Sequence, residues 1–190
     1  MGKAARLCED FCEKTILFKC LTTLFLLGFM YTRIYWIEQF EKGSLGIMPR
    51  PSGNEQLEEE IVRLKKLGVD VLVSMLTAAE IHEMGLRKEA ELCQKQQIEF
   101  INFPIEDRQV PVSSEKIKLL AENIDNALSE HKKVMIHCRG GIGRVTLLAG
   151  LVLFRRGYTT NQALEKIRSV RGVPVPDTEE QVHWLRKMEK

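Results

Sequence analysis

A chain of 190 residues with 44 % hydrophobic side chains can bury one core and has room for one domain. Its 28 Lys and Arg against 26 Asp and Glu leave a formal net charge of +2, which argues neither for a nucleic-acid binder nor for an acidic tail. Five cysteines without a Cys-x-x-Cys spacing or paired His give no zinc signature, and the odd count favours a reducing, cytoplasmic compartment.

Residues 1–30 differ from the rest. Cys8, Cys12 and Cys20 cluster there, and residues 20–32 form an uncharged, mainly apolar run of 13. A membrane-spanning helix needs about 20 such residues, and runs of about 10–14 mark a buried helix, an interfacial segment or a signal-peptide core. Glu9, Asp10 and Glu13 are out of place in the basic leader of a signal peptide, and no small-residue cleavage site is evident. Arg6 stands where N-myristoylation wants Ser or Thr. The segment is expected to be an apolar helix or an unstructured extension; membrane association through residues 16–32 is the alternative.

Residues 31–190 alternate strand and helix patterns. Residues 34–37 read as a first strand, with a shorter one near 46–48. Leu57, Ile61, Leu64 and Leu67 lie at helical spacing between Asn54 and Gly68. Residues 69–74 are strand-like, and Thr77 can cap a helix beginning at Ala78. A helical run over 87–97 precedes a strand at 98–101. The following loop carries Glu106 and Asp107, fenced by Pro104 and Pro111, which stiffen it. Ile117, Leu120, Ile124 and Leu128 form the stripe of a helix starting at Ser113 or Ser114. Residues 133–137 read as a short buried strand, and helices are expected over 145–156, 160–170 and 178–189. The pairs Lys132-Lys133 and Arg155-Arg156 are expected as solvated element ends. Alternating β and α elements predict an α/β fold, a mostly parallel open sheet flanked by helices.

The stretch His137-Cys138-Arg139-Gly140-Gly141-Ile142-Gly143-Arg144 joins the strand at 133 to the helix at 145. A strand, a glycine-rich loop and a helix in that order make an anion cradle, because loop N–H groups and the positive helix end converge on one point. Such a field favours a cysteine thiolate, which in comparable sites ionises with a pKa of about 3.5–7.5 rather than ~8.5. Arg144 offers a planar fork for two oxygens of a tetrahedral oxyanion. Nucleophile, cradle and clamp together specify attack on phosphorus. Arg108 and Arg139 nearby suit an anionic substrate.

This loop resembles the His-Cys-x5-Arg signature of the protein-tyrosine and dual-specificity phosphatase superfamily, and its glycine placement is similar to the small dual-specificity branch. Met48-Pro49-Arg50-Pro51 is similar to the start of small bacterial-type and cyclin-dependent-kinase-associated relatives. The resemblance implies a protein-tyrosine-phosphatase-like fold, a phosphocysteine intermediate on Cys138 and phosphate binding by Arg144 with Arg139, Gly140, Gly141, Ile142 and Gly143. His137 would support the thiolate. The family's general acid lies in a Pro-x-x-Asp-x-x-x-Pro loop about thirty residues before the nucleophile, and Asp107, thirty-one before Cys138, matches it, with Glu106 as rival. Gln181 matches the glutamine that holds the hydrolytic water at the start of the last helix; a surface residue behind the helix cap Thr178 is the alternative. Val145 departs from the family, which carries Ser or Thr there. The lost hydroxyl bears on breakdown of the intermediate, and Thr146, turned by about 100° on a helix, should not replace it.

The implied activity is hydrolysis of phosphate monoesters on protein tyrosine and serine or threonine, without metal or cofactor. The alternatives are a phosphoinositide phosphatase, disfavoured by a loop with only Arg139 as extra cation, an RNA 5′-phosphate phosphatase, or a phosphoprotein-binding pseudophosphatase. The expected partner is a phosphorylated protein, with no nucleic acid.

Overall fold

The computed structural model describes residues 31–189. The expectations for residues 1–30, and for nearly all of the stretch 16–32, lie outside the described residues. Arg33–Lys190 form one compact unit. Among the described residues, no helix is long and apolar enough to cross a membrane.

Strands β1 (Tyr35–Gln39), β2 (Ser44–Pro49), β3 (Val71–Ser74), β4 (Glu99–Asn102) and β5 (Lys133–Cys138) form one sheet in the order β1-β2-β5-β3-β4. β1 pairs antiparallel with β2, and every other ladder is parallel. The expected mostly parallel α/β sheet is what forms. The inner strands are buried on both faces, which is why they read as continuous apolar runs rather than alternating ones. β2 is six residues long, not shorter than β1 as its sequence suggested. Ser44 and Leu45 extend it because they pair with Lys133 and Val134 of β5.

Seven helices are described: α1 (Leu57–Lys66), α2 (Ala78–Glu83), α3 (Glu89–Lys95), α4 (Ser114–Ser129), α5 (Gly143–Arg155), α6 (Thr160–Arg171) and α7 (Glu179–Met188). Two apolar layers sandwich the sheet. Val134, Ile136 and Cys138 of β5 face Ile117, Ile124 and Leu128 of α4, with α5, α6 and Leu185 of α7 in the same layer. Met135 faces the other layer with Leu57, Ile61 and Leu64 of α1 and Leu92 and Cys93 of α3. Side chains alternate across a strand, so neighbours on β5 serve opposite layers.

Helix starts follow their caps. Thr77 caps α2 in a reciprocal box with Glu80, Ser113 caps α4, Thr159 caps α6 in a box with Gln162, and Thr178 caps α7. α5 begins at Gly143, two residues before the apolar pattern announces it. The expectation that Arg155-Arg156 is a solvated element end fails for Arg156. Its guanidinium lies over the Phe40 ring at 4.7 Å and donates to the Asp125 carbonyl at 2.9 Å, tying α5 to α4. Lys133 likewise lies 5.9 Å over Trp36.

Candidate active site

The central strand β5 ends at Cys138, and the loop that follows turns at once into α5. Two glycines make that turn possible. Gly141 has φ +66°, and a Cβ there would fall 2.5 Å from the Pro49 nitrogen. At Gly143 a Cβ would fall 2.1 Å from Asp177 Oδ2 and 2.8 Å from Gln181 Oε1. The loop is therefore packed between the end of β2 and the turn before α7. Cys138 is 2 % exposed, and its Sγ accepts the Gly141 N–H at 3.3 Å. Ile142 ends the loop at the α5 N-cap, so the positive end of α5 points into the cradle.

Arg144, in the first turn of α5, is 1 % exposed and held in place by three segments. Nη1 donates to Glu80 Oε2 at 2.7 Å and to the Ile105 carbonyl at 2.9 Å, with the Met75 carbonyl at 3.4 Å. Nη2 donates to Glu80 Oε1 at 2.9 Å and to Asp107 Oδ1 at 2.8 Å. Burial works against the Arg144 charge, but Glu80, then the neighbouring thiol of Cys138 and Asp107, outweigh it and hold the guanidinium above its usual value. Burial would also raise the Glu80 carboxyl; the Arg144 hydrogen bonds and the Thr77 backbone N–H reverse that and hold it below the ordinary carboxylate range.

Of the two candidate acids, the loop after β4 brings Asp107 to Arg144 and leaves Glu106 exposed. Gln181 is not a surface residue: it is fully buried beside Gly143. Its Oε1 accepts the Asp177 N–H at 3.1 Å, and its Nε2 donates to the Gln109 carbonyl at 3.0 Å, tying α7 to the carboxylate loop. His137 is fully buried behind the loop, with Nε2 3.0 Å from Glu89 Oε1. Arg139 points outward and pairs with Glu83 at 3.2 Å on the rim. Val145 is fully buried, and the Thr146 hydroxyl donates back to the Ile142 carbonyl within its own helix. Neither residue presents a hydroxyl to Cys138.

Sequence reasoning missed two groups that shape this cradle. Glu80 forms a bidentate pair with Arg144, and its only local signal was the Thr77-x-x-Glu80 capping box. Arg171, the last residue of α6, donates from Nε to the Gly141 carbonyl and from Nη2 to the Gly140 carbonyl, both at 2.9 Å. Its Nη1 donates to the Tyr35 hydroxyl at 2.8 Å. By holding loop carbonyls from outside, Arg171 favours the opposite, N–H-bearing edge of those peptides facing the cradle.

The arrangement can bind a tetrahedral oxyanion, attack it with sulfur and protonate a departing oxygen. Residues 33–190 match the family model PTP-SAK, described as Swiss Army Knife protein, DSP-PTPase phosphatase domain. Cyclin-dependent kinase inhibitor 3 of Mus musculus is 26 % identical over 132 residues, which are 69 % of this chain and 62 % of that protein. The chain thus spans less than two thirds of the length of that curated relative. A solved kinase associated phosphatase, carrying serine at its catalytic-site cysteine, superposes with a TM-score of 0.74 at 22 % identity, over 83 % of this chain and 93 % of its own. Tk-PTP in its active form superposes with a TM-score of 0.64 at 26 % identity, over 82 % and 95 %.

Proposed function

Because this chain belongs to the dual-specificity branch of the protein-tyrosine phosphatase superfamily, the DSP-PTPase phosphatase domain, we propose that it hydrolyses phosphate monoesters on protein tyrosine and on serine or threonine through phosphocysteine. The observation that carries this reading is the Cys138 Sγ accepting the Gly141 N–H of the glycine-rich loop, with the Arg144 guanidinium fixed by Glu80.

In the proposed reaction the Cys138 thiolate attacks phosphorus, the S–P bond forms and the bond from phosphorus to the ester oxygen breaks. Asp107, released from Arg144 as the phosphoryl oxygens take its place, takes up a proton from solvent and gives it to that oxygen. Water, held by Gln181, then attacks phosphorus. Asp107 takes a proton from that water, the S–P bond breaks and Cys138 leaves as thiolate. Loop N–H groups and Arg144 stabilise the equatorial oxygens throughout. The relatives' names tie them to kinases, so a phosphorylated protein, a kinase among the candidates, is the proposed substrate.

A panel of phosphotyrosyl peptides, phosphothreonyl peptides and phosphoinositides, assayed with wild type and Cys138→Ser, tests the reading. Phosphopeptide hydrolysis by wild type and none by Cys138→Ser is expected, because serine keeps the loop but is a poor nucleophile at neutral pH. Hydrolysis that persists in Cys138→Ser removes the phosphocysteine step. Preference for the phosphoinositides removes the protein substrate.

A further inference from the structure

Resting on that reading, we propose that Glu89 is a positioning residue for Cys138: paired with His137 behind the loop, it sets the charge and orientation of the imidazole that backs the nucleophile. His137 has no exposed surface and Glu89 is 1 % exposed. His137 Nε2 lies 3.0 Å from Glu89 Oε1, yet the contact is not directed as a hydrogen bond, and both ring nitrogens and both carboxylate oxygens lack a hydrogen-bonding partner. The short distance makes the pairing electrostatic. A buried carboxylate is among the costliest groups a core can hold, and two such groups facing each other in an apolar layer need a reason. The imidazole end of the pair belongs to the residue next to Cys138, and the carboxylate end is reached from α3.

The three polar groups of this cluster come from separate elements. His137 is the penultimate residue of β5, in register with Met48 of β2 and Ser74 of β3. The Ser74 hydroxyl is also buried without a hydrogen-bonding partner. Glu89 opens α3, its N–H bonded to the Leu86 carbonyl at 2.9 Å. One turn on, Cys93 is the other titratable group of that helix in this layer. Burial first, then the charge of Glu89, pushes its thiol up to about 12, so it stays a neutral thiol. Met48, Leu72, Leu86 and Leu92 share this layer and carry no charge. Apolar packing alone would be served by an uncharged residue at position 89. The acid instead places a fixed dipole at the carboxyl end of β5, where the thiolate forms.

Glu89→Gln keeps the volume and removes the charge. Wild type and variant are alkylated at Cys138 with iodoacetamide from acid to alkaline pH, followed by mass spectrometry, and thermal unfolding is recorded alongside. Half-maximal alkylation is expected to move up by about one pH unit, the acid limb of kcat/KM is expected to move with it, and Glu89→Asp should restore part of the shift. A folded Glu89→Gln whose profile overlays the wild type overturns the proposal. His137→Asn, which keeps Glu89, gives a second reading: the same upward shift supports the pair, and an unshifted profile overturns it. Wild-type Cys138 alkylating with the profile of free cysteine would instead strike at the phosphocysteine reading, so the two failures are distinguishable.

Discussion

Val145 follows Arg144 with no exposed surface, and Thr146 spends its hydroxyl on the Ile142 carbonyl. In the proposed reaction, making the intermediate calls on thiolate, cradle and acid. Breaking it expels the Cys138 thiolate, and neither Val145 nor Thr146 offers a free hydroxyl to meet the returning charge. A missing charge-assisted hydrogen bond is worth about 1.5–3 kcal/mol, roughly 10–150-fold in rate. Rapid-quench assays should therefore show a burst of leaving group stoichiometric with enzyme, then slow turnover. Val145→Ser should raise kcat and shrink the burst while changing kcat/KM less, since kcat/KM reports formation of the intermediate. No burst in wild type, with kcat unchanged in Val145→Ser, would assign the hydroxyl's work to another group.

At the scale of elements, the short helix α2 matters more than its six residues suggest. Its N-cap Thr77 orders Glu80 through a reciprocal box, and Glu80 spans 64 positions to hold Arg144 in α5. Removing one partner of a buried pair costs about 3–5 kcal/mol, so Glu80→Gln should unfold at lower temperature and lose activity through a misaligned Arg144. The pH dependence carries a sign. The Glu80 carboxyl is held below its usual range, so its contribution to stability is complete above the unfolded value of about 4.3. It is lost as pH falls through the lowered folded value. The gap in Tm between wild type and Glu80→Gln should close toward that acid window; a gap constant down to the acid end would mean that the pair's charge contributes nothing. The same helix marks the boundary of what sequence makes legible. Strands β3 and β5 are readable because burial on both faces makes them continuous apolar runs, and Cys138 to Arg144 because the motif is local. Asp107 is readable from its proline fence. The starts of β2 and α5 are blurred by Ser44 and Gly143, whose place is set by a partner strand and a close approach. Glu80, Glu89 and Arg171 are acids and a base on short or exposed-looking helices, and nothing local distinguishes them from solvated charges. Their partners lie on other elements, so only the assembled sheet gives them meaning.

At the scale of the whole molecule, the site gathers chain from Pro49 to Gln181 at the carboxyl edge of the parallel strands. Arg144 joins the segments after β3 and β4, and Gln181 joins the carboxylate loop to α7. In this resting arrangement Asp107 holds a guanidinium N–H at 2.8 Å that an incoming phosphoryl oxygen needs. In the proposed reaction substrate and acid thus compete for one donor, and binding frees Asp107 for its proton transfer. Asp107 is 49 % exposed on its side chain, so solvent screens the pair and its strength falls in the range of about 0–1 kcal/mol. Asp107→Asn should therefore bind vanadate or inorganic phosphate up to about fivefold more tightly, as 1 kcal/mol is about that factor, while hydrolysis of esters with poor leaving groups falls by about 10²–10⁴. Thermal unfolding against ligand concentration measures the affinity. At a hundred times Kd the native state gains about 2.7 kcal/mol, a rise of roughly 5–11 °C for a chain of this size. An activated aryl phosphate, whose oxygen needs little protonation, should lose far less rate in the same variant. If Asp107→Asn binds the oxyanion no more tightly than wild type, Asp107 is not the competitor. If every leaving group slows equally, Asp107 is not the acid, and Glu106 on the same loop becomes the residue to replace.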